Sequence, residues 1–255
     1  MPLPRLFLFK KKPVDAASLP QTITNSIGLE MVLIPAGTFT MGGDWDAEQA
    51  DENELPRHTV QFDAPFYMGR YPVTQAEWQV VADDNPSHFT DDRRPVETVS
   101  HTDACEFIAR LNKKEKTGGY RLPTEAQWEY AARAGSRSIY CFGSELDKLD
   151  QYAWYHKTSG GSTQPVGLLS PNDWGLFDMH GNVHEWCSDW FDRNYYAASP
   201  GTDPRGPKKG LARTLRGGDW GSQDEWYCRC AIRSLSSPDR RSPRVGFRVV
   251  KRIQP

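Results

Sequence analysis

Cysteine is scarce in this chain, with five in 255 residues, at positions 105, 141, 187, 228 and 230. An odd, scattered set excludes a disulfide framework and points to a reducing compartment, so the expected location is cytoplasmic. Long apolar runs are missing as well. No stretch reaches the ~18 residues of a membrane span. The early apolar patch Leu6–Phe9, followed by Lys10–Lys12, is shorter than the roughly 7–15 residues of a secretory core, so neither a signal peptide nor a membrane partner is expected. Helical periodicity is absent after residue 136, where Gly, Pro, Trp and Tyr dominate.

What is present is aromatic surface to bury. Aromatic residues make up 12% of the chain, with nine Trp, enough to exclude disorder because these side chains carry much of the burial that offsets chain entropy. The length fits one large domain. A mean hydropathy of −0.68 fits a water-soluble chain. The net charge of −2 hides an asymmetry: Arg205–Pro255 holds thirteen Lys/Arg against four Asp/Glu, a balance of +9, so the first 204 residues carry −11. The late arginines alternate with Gly, Cys and apolar residues rather than clustering. They are expected to pair with the acidic part of the same domain, and no nucleic-acid partner is expected. The acidic run Asp44–Glu54 reads as a solvated loop.

Residues 1–27, with Pro2, Pro4, Pro13 and Pro20, read as an extended leader, and 28–255 as the folded domain. Met31–Met41 predicts two strand segments around Pro35-Ala36-Gly37, and Val60–Val73 a second pair broken at Ala64-Pro65 and Gly69. Three capping sequences, beginning at Thr74, Ser100 and Thr124, predict helices, stopped by Gly118-Gly119 for the second and Gly135 for the third. Few short helices, irregular strands and long loops give an α+β class, and ordered loops of that length are usually functional.

Several stretches carry a resemblance. They are MVLIPAGTFTMGG at 31–43, YMGRYPVT at 67–74, RLPTEAQWEYAAR at 121–133, GLFDMHGNVHEW at 175–186, Arg216-Gly217-Gly218 after Leu215, and Val245-Gly246-Phe247-Arg248-Val249. Their order and spacing resemble the formylglycine-generating-enzyme-like (sulfatase-modifying factor) domain. That resemblance implies a large variant of the C-type lectin fold, built on irregular antiparallel strands, over residues 28–250. The family includes copper-dependent oxidases that convert a sulfatase Cys to formylglycine, iron-linked sulfoxide synthases and non-enzymatic ligand binders, so the fold alone does not choose.

For the oxidase, the resemblance implies two thiolates holding copper(I) between the Arg-Gly-Gly and Gly-Phe-Arg motifs, a soft ion on soft ligands. Here the segment Asp219–Tyr227 has no Cys. Cys228 and Cys230 remain at C-x-C spacing, where a strand would put both on one face; they could equally be small core residues beside Arg229 and Arg233. His180, His184 and Cys187 form H-x3-H-x2-C, a weak transition-metal pattern interrupted by Gly181-Asn182. The sulfoxide synthases take iron ligands from an added N-terminal helical domain, for which residues 1–27 are too short. The family's structural calcium loop is matched by Asp178, Gly181, Val183 and Glu185, an all-oxygen set suited to Ca²⁺. The alternative is that Asp178 and Glu185 cap backbone amides. A second calcium loop of the family lacks its Asn around Ala153-Trp154.

Between Arg216 and Arg248, residues of the family scaffold alternate with thirteen others: Gly221, Ser222, Asp224, Tyr227, Ile232, Ser234, Leu235, Ser236, Ser237, Arg240, Ser242, Pro243 and Arg244. This layout resembles the variable proteins of diversity-generating retroelements, in which adenines of AAC/AAT codons are randomised. All thirteen types are reachable from such codons, whereas Gln223, Glu225 and Trp226 are not. The resemblance implies a non-catalytic protein with a diversified binding surface over 216–248. To this surface Asp219 and the anchor Trp226 also belong, its ligand being a protein or other macromolecule. Tyr227, Ile232 and Leu235 could instead be core residues. The competing reading is a formylglycine-generating or allied metal-dependent oxidase acting through Cys228 and Cys230.

Overall fold

Each of the three expected capping sequences starts a helix in the computed structural model, which describes residues 18–43 and 51–253. They are α1 (Gln75–Gln79), α2 (His101–Lys114) and α3 (Glu125–Arg133), and in each a hydroxyl at the N-cap accepts the third amide while that residue's side chain reaches back. Helix α3 ends at Ala134 (φ 45°) and Gly135 (φ 92°), the left-handed stop its glycine predicts. Helix α2 stops short of Gly118-Gly119, because Asn112 turns its side-chain amide onto both main-chain groups of Tyr120 (2.9 and 3.0 Å) and draws the chain into the next strand.

The strands are β1 (Thr22–Thr24), β2 (Glu30–Ile34), β3 (Gly37–Met41), β4 (His58–Phe62), β5 (Phe66–Gly69), β6 (Tyr120–Arg121), β7 (Ala153–Trp154), β8 (His180–Gly181), β9 (His184–Trp190), β10 (Arg213–Arg216), β11 (Ser234–Ser236), β12 (Val245–Gly246) and β13 (Val250–Arg252). A five-stranded antiparallel sheet runs β1-β2-β5-β13-β6, and a four-stranded sheet runs β11-β10-β9-β12 with only β12 parallel to its neighbour. Two small sheets pair β3 with β4 and β7 with β8. The expected strand pairs are present, but β2 and β3 do not form a hairpin: each takes a partner from the 58–69 stretch. The folded domain also begins earlier than residue 28, since Thr22–Thr24 bonds along β2. Alternation was hidden there by the short, exposed strand. The patch Leu6–Phe9, Lys10–Lys12 and most of the acidic run at 44–54 lie outside the described residues.

Helix α3 is buried along its whole length and packs against β3, β9 and β10. Its Trp128 stands in one core cluster with Cys187 and Cys230; a second cluster holds the stacked Trp78 and Phe107 with Phe247; a third gathers Tyr140, Tyr155 and Cys228. All five cysteines are free. Among the described residues no helix is long and apolar enough to cross a membrane.

Candidate functional site

The charge asymmetry resolves into buried ion pairs. Arg216, Arg229, Arg233 and Arg248 are each at most 4% exposed. Arg216 reaches Glu129 at 2.5 Å and also donates to the carbonyls of Cys230, Ala231 and Ile232. Arg229 forks onto Glu54 (2.8 and 2.7 Å), Arg233 onto Glu125 (2.7 and 2.9 Å), and Arg248 onto Glu185 (2.6 and 2.7 Å). Burial opposes the charge of Arg216, but its acidic neighbours outweigh that cost and its pKa rises. Losing one partner of such a pair strands a buried charge, worth about 3–5 kcal/mol. These pairs pin the backbone of 216–248 at four points to the preceding part of the domain.

Between the pins, the side chains sort into frame and face. Asp219, Gly221, Ser222 and Ile232, expected on the binding surface, are buried and lie outside the exposed face. Asp219 accepts from the Gly221 amide (2.7 Å), pairs with His184 Nδ1 (2.8 Å) and donates its own amide to Ser222 Oγ. Burial would raise the Asp219 carboxyl; His184, the Gly221 amide and Arg244 together bring it below its ordinary value. Ile232 is buried, and its carbonyl accepts from Arg216. Gly218 (φ 74°) has no room for a side chain: a Cβ would sit 2.7 Å from the Tyr227 carbonyl.

The face has three parts. Arg244 lies over Trp220 (4.9 Å), whose indole N–H donates to the Pro243 carbonyl at 2.9 Å. Three residues on from Gly221, Asp224 caps a short 3-10 turn, Glu225–Cys228, through the Trp226 amide. Trp226 rests on the guanidinium of Arg229 at 3.3 Å, and Tyr227 is 47% exposed. Asp224, Glu225 and Trp226 line a cavity of about 430 Å³ with Ile139, Tyr140 and Leu146. The third part is the edge strand β11, where Leu235 is 50% exposed, followed by exposed Ser237 and Arg240, with Ser234, Ser236 and Ser242 half-buried. The sequence pattern missed Ile139, Tyr140, Leu146 and Glu225. Ile139, Tyr140 and Leu146 arrive from a segment about 80 residues upstream, joined by the Tyr140 hydroxyl, which donates to the carbonyl of the adjacent Glu225 (2.7 Å), and nothing local marks that contact.

The metal expectations meet a different geometry. Cys228 ends a 3-10 turn rather than lying on a strand, so the two thiols do not share a face: Cys228 enters the Tyr140 cluster and Cys230 the Trp128 cluster. Burial raises both, Cys230 to about 11. His180 bonds the Cys228 carbonyl, His184 bonds Asp219, and Cys187 lies in the core, so these three do not converge. Both Glu185 oxygens are taken by Arg248, and one also by the Trp128 indole (2.7 Å). Asp178 accepts from the Gly167 amide and Asn182. Gly181 bonds the Gly217 carbonyl, and Val183 is core. The set is not open to calcium as it stands, because both oxygens of Glu185 are committed to a guanidinium. Among the described residues no three His, Cys, Asp or Glu side chains gather to hold a metal ion.

The sulfatase-modifying factor enzyme 1-like domain model matches residues 16–253. The chain belongs to that family. It is 33% identical to the formylglycine-generating enzyme of Streptomyces coelicolor, covering 85% of this chain and 87% of that one. Among solved structures it superposes on Treponema denticola variable protein 1 with a TM-score of 0.83 and 31% identity, covering 92% of this chain and all of the other. PvdO from Pseudomonas aeruginosa matches with a TM-score of 0.81 and 32% identity, covering 95% and 100%. The architecture is thus the C-type lectin-like fold of this family, mixed α+β with few helices. Members similar to this chain include both enzymes and a variable protein, and the residues of the site must distinguish them.

Proposed function

We propose that this chain is a non-catalytic ligand-binding protein of the variable-protein type, with its recognition surface on the exposed residues between Arg216 and Arg248. The observation that carries the reading is the alternation within this segment. Buried, bidentate arginines hold the backbone, while Asp224, Tyr227, Leu235, Ser237, Arg240 and Arg244 face outward. A surface can be rewritten only if its scaffold is held by other residues. Trp226, fixed from below by Arg229, supplies a rigid aromatic anchor of the type that dominates binding hot spots. The oxidase reading draws support from the named enzymes, but it needs two thiols at one open site, and Cys228 and Cys230 enter separate cores. A protein or other macromolecular ligand is the reading, since the exposed residues run from Asp224 to Arg244 and the described cavity borders only the Asp224–Trp226 end.

Two measurements test this. Replacing Tyr227, Leu235, Ser237, Arg240 and Arg244 together, with Asp224→Asn to keep its cap on the Trp226 amide, should cost less than about 2 kcal/mol in total, since surface changes fall within about 0.5 kcal/mol either way and partly cancel. Arg229→Ala should cost about 3–5 kcal/mol. A collapse of the six-fold variant would overturn the division into frame and face. In the gene neighbourhood, a near-copy of codons 216–248 differing only at adenines, beside a reverse transcriptase, is expected; absence of both removes the retroelement assignment.

A further inference from the structure

A second cavity, of about 440 Å³, shares no lining residue with the Trp226 cavity. It lies where β5, β6 and β13 meet the first turn of α3 and the 203–205 loop. Arg121, Arg205 and Arg252 line it, and Asp203 is the one carboxylate in its wall among the described residues. None of the three guanidinium groups makes an ion pair among the described residues, in contrast to the four buried arginines of the C-terminal segment. Arg121 spends one donor on the Leu122 carbonyl (2.9 Å). Desolvation within the site, then the like charge of Arg205 and Arg252, pull Arg121 down to about 10, against the opposing pull of Asp189 and Asp203. Asp203 is itself raised, by burial and by Asp63. The polar rim stands over an apolar floor that includes Phe62, Pro65, Phe66 and Pro204.

Arg121, Arg205 and Arg252 are exposed at the rim, where water screens their mutual repulsion, and the wall supplies a single carboxylate beside them, so their donors are open to an anion. The volume falls in the range of small-molecule sites, which combine apolar walls with a few placed polar groups. Guanidinium forks match the planar and tetrahedral oxygens of carboxylate, phosphate and sulfate. We propose that this cavity binds a small organic oxyanion, a phosphate or sulfate ester with an apolar body, its head held by Arg121, Arg205 and Arg252 and its body on Phe62 and Phe66. The site is independent of the C-terminal recognition surface.

The test is calorimetric titration of the full chain, in phosphate-free buffer at about physiological ionic strength, where screening suppresses weak surface binding. The probes are phenyl phosphate, phenyl sulfate, inorganic phosphate and phenol. Saturable binding of an ester, tighter than inorganic phosphate and absent for phenol, is expected; whichever ester binds more tightly names the source of the oxyanion. Arg205→Gln, on an exposed loop and checked for an unchanged melting temperature, should weaken binding about tenfold, the worth of a hydrogen bond to a charged group. Arg121→Gln should do the same, and Trp226→Ala should leave it unchanged. No saturable binding of either ester, binding of inorganic phosphate alone, or ester binding indifferent to both arginine variants would overturn the proposal.

Discussion

Asp189 shows how a buried carboxyl is tolerated in this fold. It is 2% exposed and accepts hydrogen bonds from the Glu125 amide (3.0 Å) and Ser188 Oγ (2.9 Å). Burial, then the charge of Glu125, push its carboxyl up to about 7. An acid with a raised pKa keeps its proton in the native state where the unfolded chain has lost it. Its contribution to stability is therefore complete below the ordinary value of 3.8 and falls as pH rises toward 7. His180 acts in the opposite sense: burial lowers it to about 4, so the stability of its neutral form is lost as pH falls from 6.5 through 4. Asp189→Asn keeps an acceptor for both donors while removing the charge. The stability of this variant relative to the native chain should improve by on the order of 2–4 kcal/mol between pH 4 and pH 8. Denaturant midpoints measured across that range check it, and a difference that does not change with pH would contradict the assignment.

At the scale of elements, what could be read in advance was local. Three capping boxes gave the helix starts, and the breaks at Pro35–Gly37 and Ala64-Pro65 separated four strands, because caps and turns are chemistry between near neighbours. The Cys228/Cys230 segment was ambiguous for the same reason. A C-x-C pair aligns on a strand, but Asp224 caps the Trp226 amide and winds 225–228 into a 3-10 turn, which sends the two sulfurs apart. The Trp226 cavity was not legible, since half its wall comes from Ile139, Tyr140 and Leu146. The consequence is measurable. Titration of the full chain with copper(I) against a competing chelator should give an affinity that neither Cys228→Ala nor Cys230→Ala changes, because these thiols are buried apart and both raised. Tight binding abolished by each substitution, with aldehyde formation on a sulfatase Cys peptide, would restore the oxidase.

Over the whole molecule, the excess of positive charge in the last fifty residues and of negative charge before it is the sequence trace of one structural device. Acids from the first 204 residues enter the interior with arginines from the remainder, so the C-terminal segment cannot leave without exposing or stranding charge. Arg248 is the sharpest case. It bridges Glu185 to the carbonyls of Gly69, Phe177 and Asp178, tying β9 to the loop before β8 and to β5. Of the calcium donor set, Arg248 holds the Glu185 carboxylate, so a divalent cation binding there would have to displace the guanidinium. A ligand that binds only the native state must raise its stability in proportion to occupancy. Millimolar calcium, or its removal by a chelator, should therefore leave the melting temperature unchanged. In Arg248→Met, which vacates the guanidinium but leaves Glu185 and Asp178, the melting temperature should fall sharply; partial recovery on adding calcium would show the two cations to be interchangeable. A calcium-dependent rise in the native chain itself would mean that a separate oxygen cage exists and that Arg248 is not the cation this loop was built around.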